Sequence, residues 1–73
     1  MQLGTIIRYK HDTRASGNHT IKKGTIAMIN SIDSNKPNEN GIICENGFEY
    51  WDFAQDIKTD CDIINFSNKQ NKE

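Results

Sequence analysis

The sequence predicts an all-β fold: a small five- or six-stranded barrel or rolled sheet with a short helical turn. Three observations carry this expectation. Among 73 residues isoleucine occurs 11 times, leucine once and valine never. Isoleucine is β-branched and favours strands, whereas the good helix formers leucine and alanine are scarce. Thr25–Ile32 (TIAMINSI) alternates with period two, the repeat of a strand with one core face. Asn46-Gly47 stands between two β-rich runs, and this pair is the preferred two-residue hairpin turn because both residues tolerate positive φ.

The elements follow in chain order. Gly4–Tyr9 (GTIIRY) is a β-rich run and the first strand. Lys10–Asn18 has almost no apolar residue, carries Gly17-Asn18 and reads as a loop. His19-Thr20-Ile21 is a short strand or the end of that loop, and Lys22-Lys23-Gly24 is a turn. In Thr25–Ile32, the side chains of Ile26, Met28 and Ile32 share the more apolar face with Asn30, and Ala27, Ile29 and Ser31 share the other. Asp33–Asn40 (DSNKPNEN) holds the only proline, Pro37, and reads as the clearest loop. Ile42-Ile43-Cys44 leads into the hairpin, and Phe48–Phe53 (FEYWDF) is its returning strand. Phe48 and Tyr50 share one face of that strand with Asp52; Glu49, Trp51 and Phe53 share the other. Ala54-Gln55-Asp56 fits one helical turn, and Asp62–Phe66 (DIINF) a last strand. The organisation expected is one domain over residues 1–66 and a disordered polar tail over residues 67–73, which has no apolar residue.

This succession resembles the Src-homology-3-like small β-barrel. The features that carry the resemblance are a first strand, a long polar loop, an apolar residue before Lys22-Lys23-Gly24, a strong strand, a polar loop, a tight hairpin, a brief helical turn and a last strand. It covers about residues 3 to 66. The chain lacks the acidic Ala-Leu-Tyr-Asp-Tyr run of the signalling family. Binding of proline-rich peptides is therefore not carried over, and the resemblance implies a binding module rather than an enzyme.

Composition bounds the function classes. At 8.4 kDa the chain has room for one domain, and a fold this small buries only about 60% of its unfolded surface, so a partner or self-association would help it. No apolar run reaches the roughly 20 residues of a membrane span, and the first residues lack the basic and apolar parts of a signal peptide. The expected location is the cytoplasm of a bacterial cell. Nine asparagines, seven lysines and the isoleucine excess match A/T-rich codons, which points to a low-GC bacterium or one of its phages. Cys44 and Cys61 then read as reduced thiols, not a disulfide framework.

Catalytic and metal-binding constellations are weak. Seven residues separate His11 from His19, and sixteen separate Cys44 from Cys61, whereas zinc ligands come in closely spaced pairs. No metal, cofactor or catalytic residue is expected. The five glycines stand singly, so no phosphate-cradling loop is present.

Charge and aromatic clustering are more informative. Residues 1–38 carry six bases and two acids, whereas residues 39–62 carry seven acids and one base. Phe48, Tyr50, Trp51 and Phe53 lie within six residues and must populate both faces of one strand. The first reading is a non-enzymatic module that binds and inhibits a host protein with a basic surface. Its candidate face combines Glu45, Glu49, Tyr50, Trp51 and Asp52, with Glu49 and Trp51 central, and the carboxylates would imitate the phosphates of DNA. An alternative is a nucleic-acid-binding barrel that touches phosphate through Lys10, Arg14, Lys22 and Lys23. A third is an oligomer that sequesters a small molecule such as a nucleotide. A homodimer is expected, because the core is small and the aromatic strand is apolar on both faces.

Overall fold

The computed structural model of the protein describes residues 1–15 and 17–65. Its strands are β1 (Ile6–Tyr9), β2 (Thr13–Arg14), β3 (Thr20–Ile21), β4 (Ile26–Asp33), β5 (Lys36–Cys44), β6 (Glu49–Phe53) and β7 (Cys61–Asn65), with one helix, α1 (Ala54–Asp60), between β6 and β7. Five strands form an antiparallel sheet in the order β6-β5-β4-β1-β7, while β2 and β3 pair as a separate ribbon. The five-stranded sheet is strongly curled into a half-barrel, an architecture compatible with the Src-homology-3-like barrel. Among the described residues no helix is long and apolar enough to cross a membrane.

The concave side holds the core. Ile7, Tyr9, Ala27, Ile29, Ile42, Cys44, Tyr50 and Cys61 line it, and α1 sends Ile57 into it from the open end, packing against β5, β6 and β7. Burying one such isoleucine contributes about 1.5–3 kcal/mol. The Lys22-Lys23-Gly24 turn forms as expected, with Gly24 at φ 90°. The Gly24 N–H donates to the Tyr9 carbonyl at 2.8 Å, and the Asp12 carboxylate accepts from the Lys23 N–H at 2.8 Å.

Several local expectations are corrected. The face assignment of β4 is reversed: Ala27 and Ile29 are buried and Met28 points outward. A β-bulge is the reason. Ile29 pairs with Ile42 and Ser31 with Gly41, so Asn30 and Ser31 together oppose one residue. The extra residue shifts the alternation and returns Ile32 to the core side, where it packs against the cluster. Asp33–Asn40 is not a loop. It turns at Ser34-Asn35, where the Asp33 carboxylate accepts from the Asn35 N–H at 2.8 Å, and β5 begins at Lys36. Pro37 is tolerated there because the register jumps from Asp33↔Lys36 to Ile32↔Asn40, leaving it outside the ladder.

The second hairpin has a three-residue turn, not a two-residue one. The Gly47 N–H donates to the Cys44 carbonyl and the Cys44 N–H to the Phe48 carbonyl, each at 2.8 Å. Only Gly47 takes positive φ, at 94°. Asn46 keeps negative φ and instead accepts from the Phe48 N–H at 3.0 Å through its side chain. The Lys10–Asn18 stretch contains β2, and the helical turn extends to the seven residues of α1. The last strand begins one residue early, at Cys61. Phe66 and the tail at residues 67–73 lie outside the described residues.

Candidate functional site

The outward face of β6 gathers the exposed aromatic area. Strand alternation turns Glu49, Trp51 and Phe53 away from the core. Trp51 and Phe53 are each 53% exposed. The register extends this face across the sheet: Glu49 lies beside Ile43, Ile43 beside Met28, and Met28 beside Ile6. Met28 is exposed, and so is Ile64 on the far edge. An apolar row therefore crosses the convex side and ends at Glu49, with Trp51 two residues along the same face of β6. A small pit of about 110 Å³ is lined by Asn30, Ser31, Gly41, Glu49 and Trp51. A wider hollow of about 420 Å³ opens where β6 meets α1, with Asn38, Phe53, Asp56 and Lys58 on its walls.

Each sequence-derived candidate has a definite place. Glu49 and Trp51 are exposed on the same face, as expected. Glu45 is exposed but tethered, since its carboxylate accepts from the Ile26 N–H at 3.1 Å while its own N–H donates to the Ile26 carbonyl at 2.9 Å. Tyr50 is not a surface residue. It is 8% exposed, and its hydroxyl shares a 2.6 Å hydrogen bond with that of Tyr9 inside the half-barrel. Burial raises the pKa of both phenols, so both are neutral hydroxyls. Asp52 is half-buried on the same side as Tyr50, opposite Asn40. Burial pushes its carboxyl above the usual range, and the nearby charges of Asp56 and Asp60 add to this, against the Phe53 N–H that donates to it at 2.8 Å.

Lys10, Arg14, Lys22 and Lys23 are all exposed. They lie after β1, on the ribbon and in the turn that follows it, whereas Glu39, Glu49 and Asp52 lie on β5 and β6. The ribbon meets the second hairpin through His19, whose ring stacks on Phe48 at 3.7 Å between centroids. Phe48 in turn stacks on Tyr50 at 5.7 Å. The sequence reading missed this aromatic ladder, because His19 and Phe48 are distant in the chain. It also missed Met28, which the bulge hides; Phe53 was legible from simple alternation.

Nucleophile chemistry has little support in these side chains. Cys44 and Cys61 are buried free thiols. Burial and the Asp60 charge push Cys61 up to about 12, and burial likewise raises Cys44, so both stay protonated near neutrality. His11 is exposed and faces Asp60, with Nε2 3.2 Å from Oδ1. Among the described residues no group of three histidine, cysteine or carboxylate side chains converges on a metal-sized site. No known protein family, curated protein or solved structure matches the chain.

Proposed function

We propose that this chain is a non-enzymatic binding module that engages a protein partner with a basic surface through the outward face of β6. The observation that carries this reading is the pairing of Trp51 and Phe53, both about half exposed, with Glu49 and Glu39 on the same face. Exposed aromatics concentrated on one strand are the usual anchors of interfaces, because they bury large area while losing few rotamers. The carboxylates would select a basic partner and speed encounter. The A/T-rich residue usage supports an origin in a low-GC bacterium or its phage, and in that setting the module would act as a regulator that occupies a host protein.

The test compares variants in affinity capture from a bacterial lysate. Trp51→Ala and Glu49→Lys should each remove the same captured protein, with a loss of about tenfold or more in affinity. Lys22→Glu, on the ribbon side, should leave it in place. The opposite pattern would overturn the reading and favour nucleic-acid binding. That alternative is supported by one observation, the exposure of Lys10, Arg14, Lys22 and Lys23 around a single ribbon. Its signature is a steep loss of affinity with salt.

A further inference from the structure

We propose that the open edge of β6 accepts an extended, basic segment of a partner protein as a sixth strand, running antiparallel to β6. The inference rests on the reading of β6 as the binding element and adds how it binds. β6 ends the sheet, and no described strand pairs with its other edge. The ladder shows which groups that edge offers. The Cys44 N–H donates to the Phe48 carbonyl, and antiparallel pairs alternate, so the Phe48 C=O and both the N–H and C=O groups of Tyr50 and Asp52 are directed at β5. Glu49, Trp51 and Phe53 direct theirs outward. The Phe53 N–H is already taken by the Asp52 carboxylate at 2.8 Å, which closes that end of the template. Glu49 and Trp51 remain, each with one donor and one acceptor.

Of the guards that proteins place on exposed edges, β6 carries charge, in Glu49 and the inward-turned Asp52, and lacks several others. β6 has no lysine, no proline and no bulge. Its side chains specify the occupant. Residues directly opposite Glu49 and Trp51 on an added strand would share their outward face. A lysine or arginine opposite Glu49 gains a charge partner, and one opposite Trp51 gains a cation–π contact with the indole. Residues 39–57 carry five acids (Glu39, Glu45, Glu49, Asp52, Asp56) and no base. Pairing β6 with a second copy would bring two such segments together, so like charges disfavour that occupant and favour a basic one.

The parity gives a sharp experiment. An acetylated, amidated heptapeptide alternating lysine and valine is titrated against the full chain, with the emission of Trp51, the sole tryptophan, as readout. Lysines opposite Glu49 and Trp51 place the lysine amides against β6 and the valine amides away from it. N-methylation of the lysine amides should weaken binding about tenfold or more, whereas N-methylation of the valine amides should change it less than about twofold. Bound peptide should slow amide exchange at Glu49 and Trp51 by about tenfold or more. Equal effects of the two methylation patterns would overturn the edge model and leave the basic-partner reading standing. Absence of binding at about 1 mM peptide would also overturn it, while the variant comparison above judges the basic-partner reading separately. Concentration-dependent protection of the same two amides without peptide would assign the edge to a second copy and reject the basic segment.

Discussion

Asp52 shows how one position on β6 differs from its neighbours. Glu49, two residues from Trp51, is exposed, while Asp52, next to Trp51, turns toward Tyr50 and α1. Burial and the Asp56 and Asp60 carboxylates raise its folded pKa above the unfolded value. A raised carboxyl pKa means that folding favours the neutral form. The associated stability is fully present below the unfolded pKa and is lost as pH rises through the folded one, so ionised Asp52 opposes folding near neutrality. Asp52→Asn removes the charge and keeps an oxygen for the Phe53 N–H. The melting temperature should rise at about pH 7, and the gain should vanish near pH 3, where the native aspartate is protonated in both states. Thermal denaturation at both pH values checks this, and a lower melting temperature for the variant at neutral pH would reject it.

At the scale of elements, the bulge in β4 decides which side chains face outward. It depends on Gly41. A Cβ placed there would stand 2.9 Å from the Ser31 Cβ and 3.1 Å from the Asn30 Oδ1. Glycine is required at this point by close approach, and its backbone is otherwise ordinary. Gly41→Ala should cost about 1–3 kcal/mol, the range for forcing extra volume into a packed site. Combining it with Ser31→Gly removes the nearer clashing atom and should recover part of the loss. Chemical denaturation of the single and double variants measures both values. A neutral Gly41→Ala would show that the bulge yields without cost. The second hairpin is built on the same logic of local fit. Gly47 supplies the positive φ and the Asn46 side chain holds the Phe48 N–H, so β6 leaves the turn on a defined path.

The whole molecule is a half-barrel whose interior is shared by residues from distant strands. Cys44 ends β5 and Cys61 begins β7, separated in the sheet by β4 and β1, yet both are buried. Each therefore reports on opening of the core as a whole. In the folded protein near neutral pH both thiols should react with a thiol reagent about a thousandfold or more slower than in denaturant, as expected for access through global unfolding. Their reactivities should appear together across the denaturation transition. A single thiol that reacts at the unfolded rate in native buffer would show that its strand opens independently of the core.

The fold class was legible because strand periodicity and turn chemistry are local. Isoleucine content, the period-two pattern of Thr25–Ile32 and the Asn46-Gly47 turn pointed to strands, and alternation alone placed Glu49, Trp51 and Phe53 on one side of β6. Lys22-Lys23-Gly24 announced a turn, and the turn formed. Register belongs to pairing between distant segments, and no local pattern contains it. The bulge opposite Gly41 therefore reversed the core face of β4, and pairing across the turn at Ser34-Asn35 drew Pro37 and Asn40 into β5. Alternation also turns Tyr50 inward, but the hydroxyl it meets there belongs to Tyr9, a partner 41 residues away that no local pattern names. The open edge beside Trp51 is likewise a property of strand order. Only tertiary structure decides which strand comes last in a sheet, because each strand's neighbours are chosen by the surfaces they bury together.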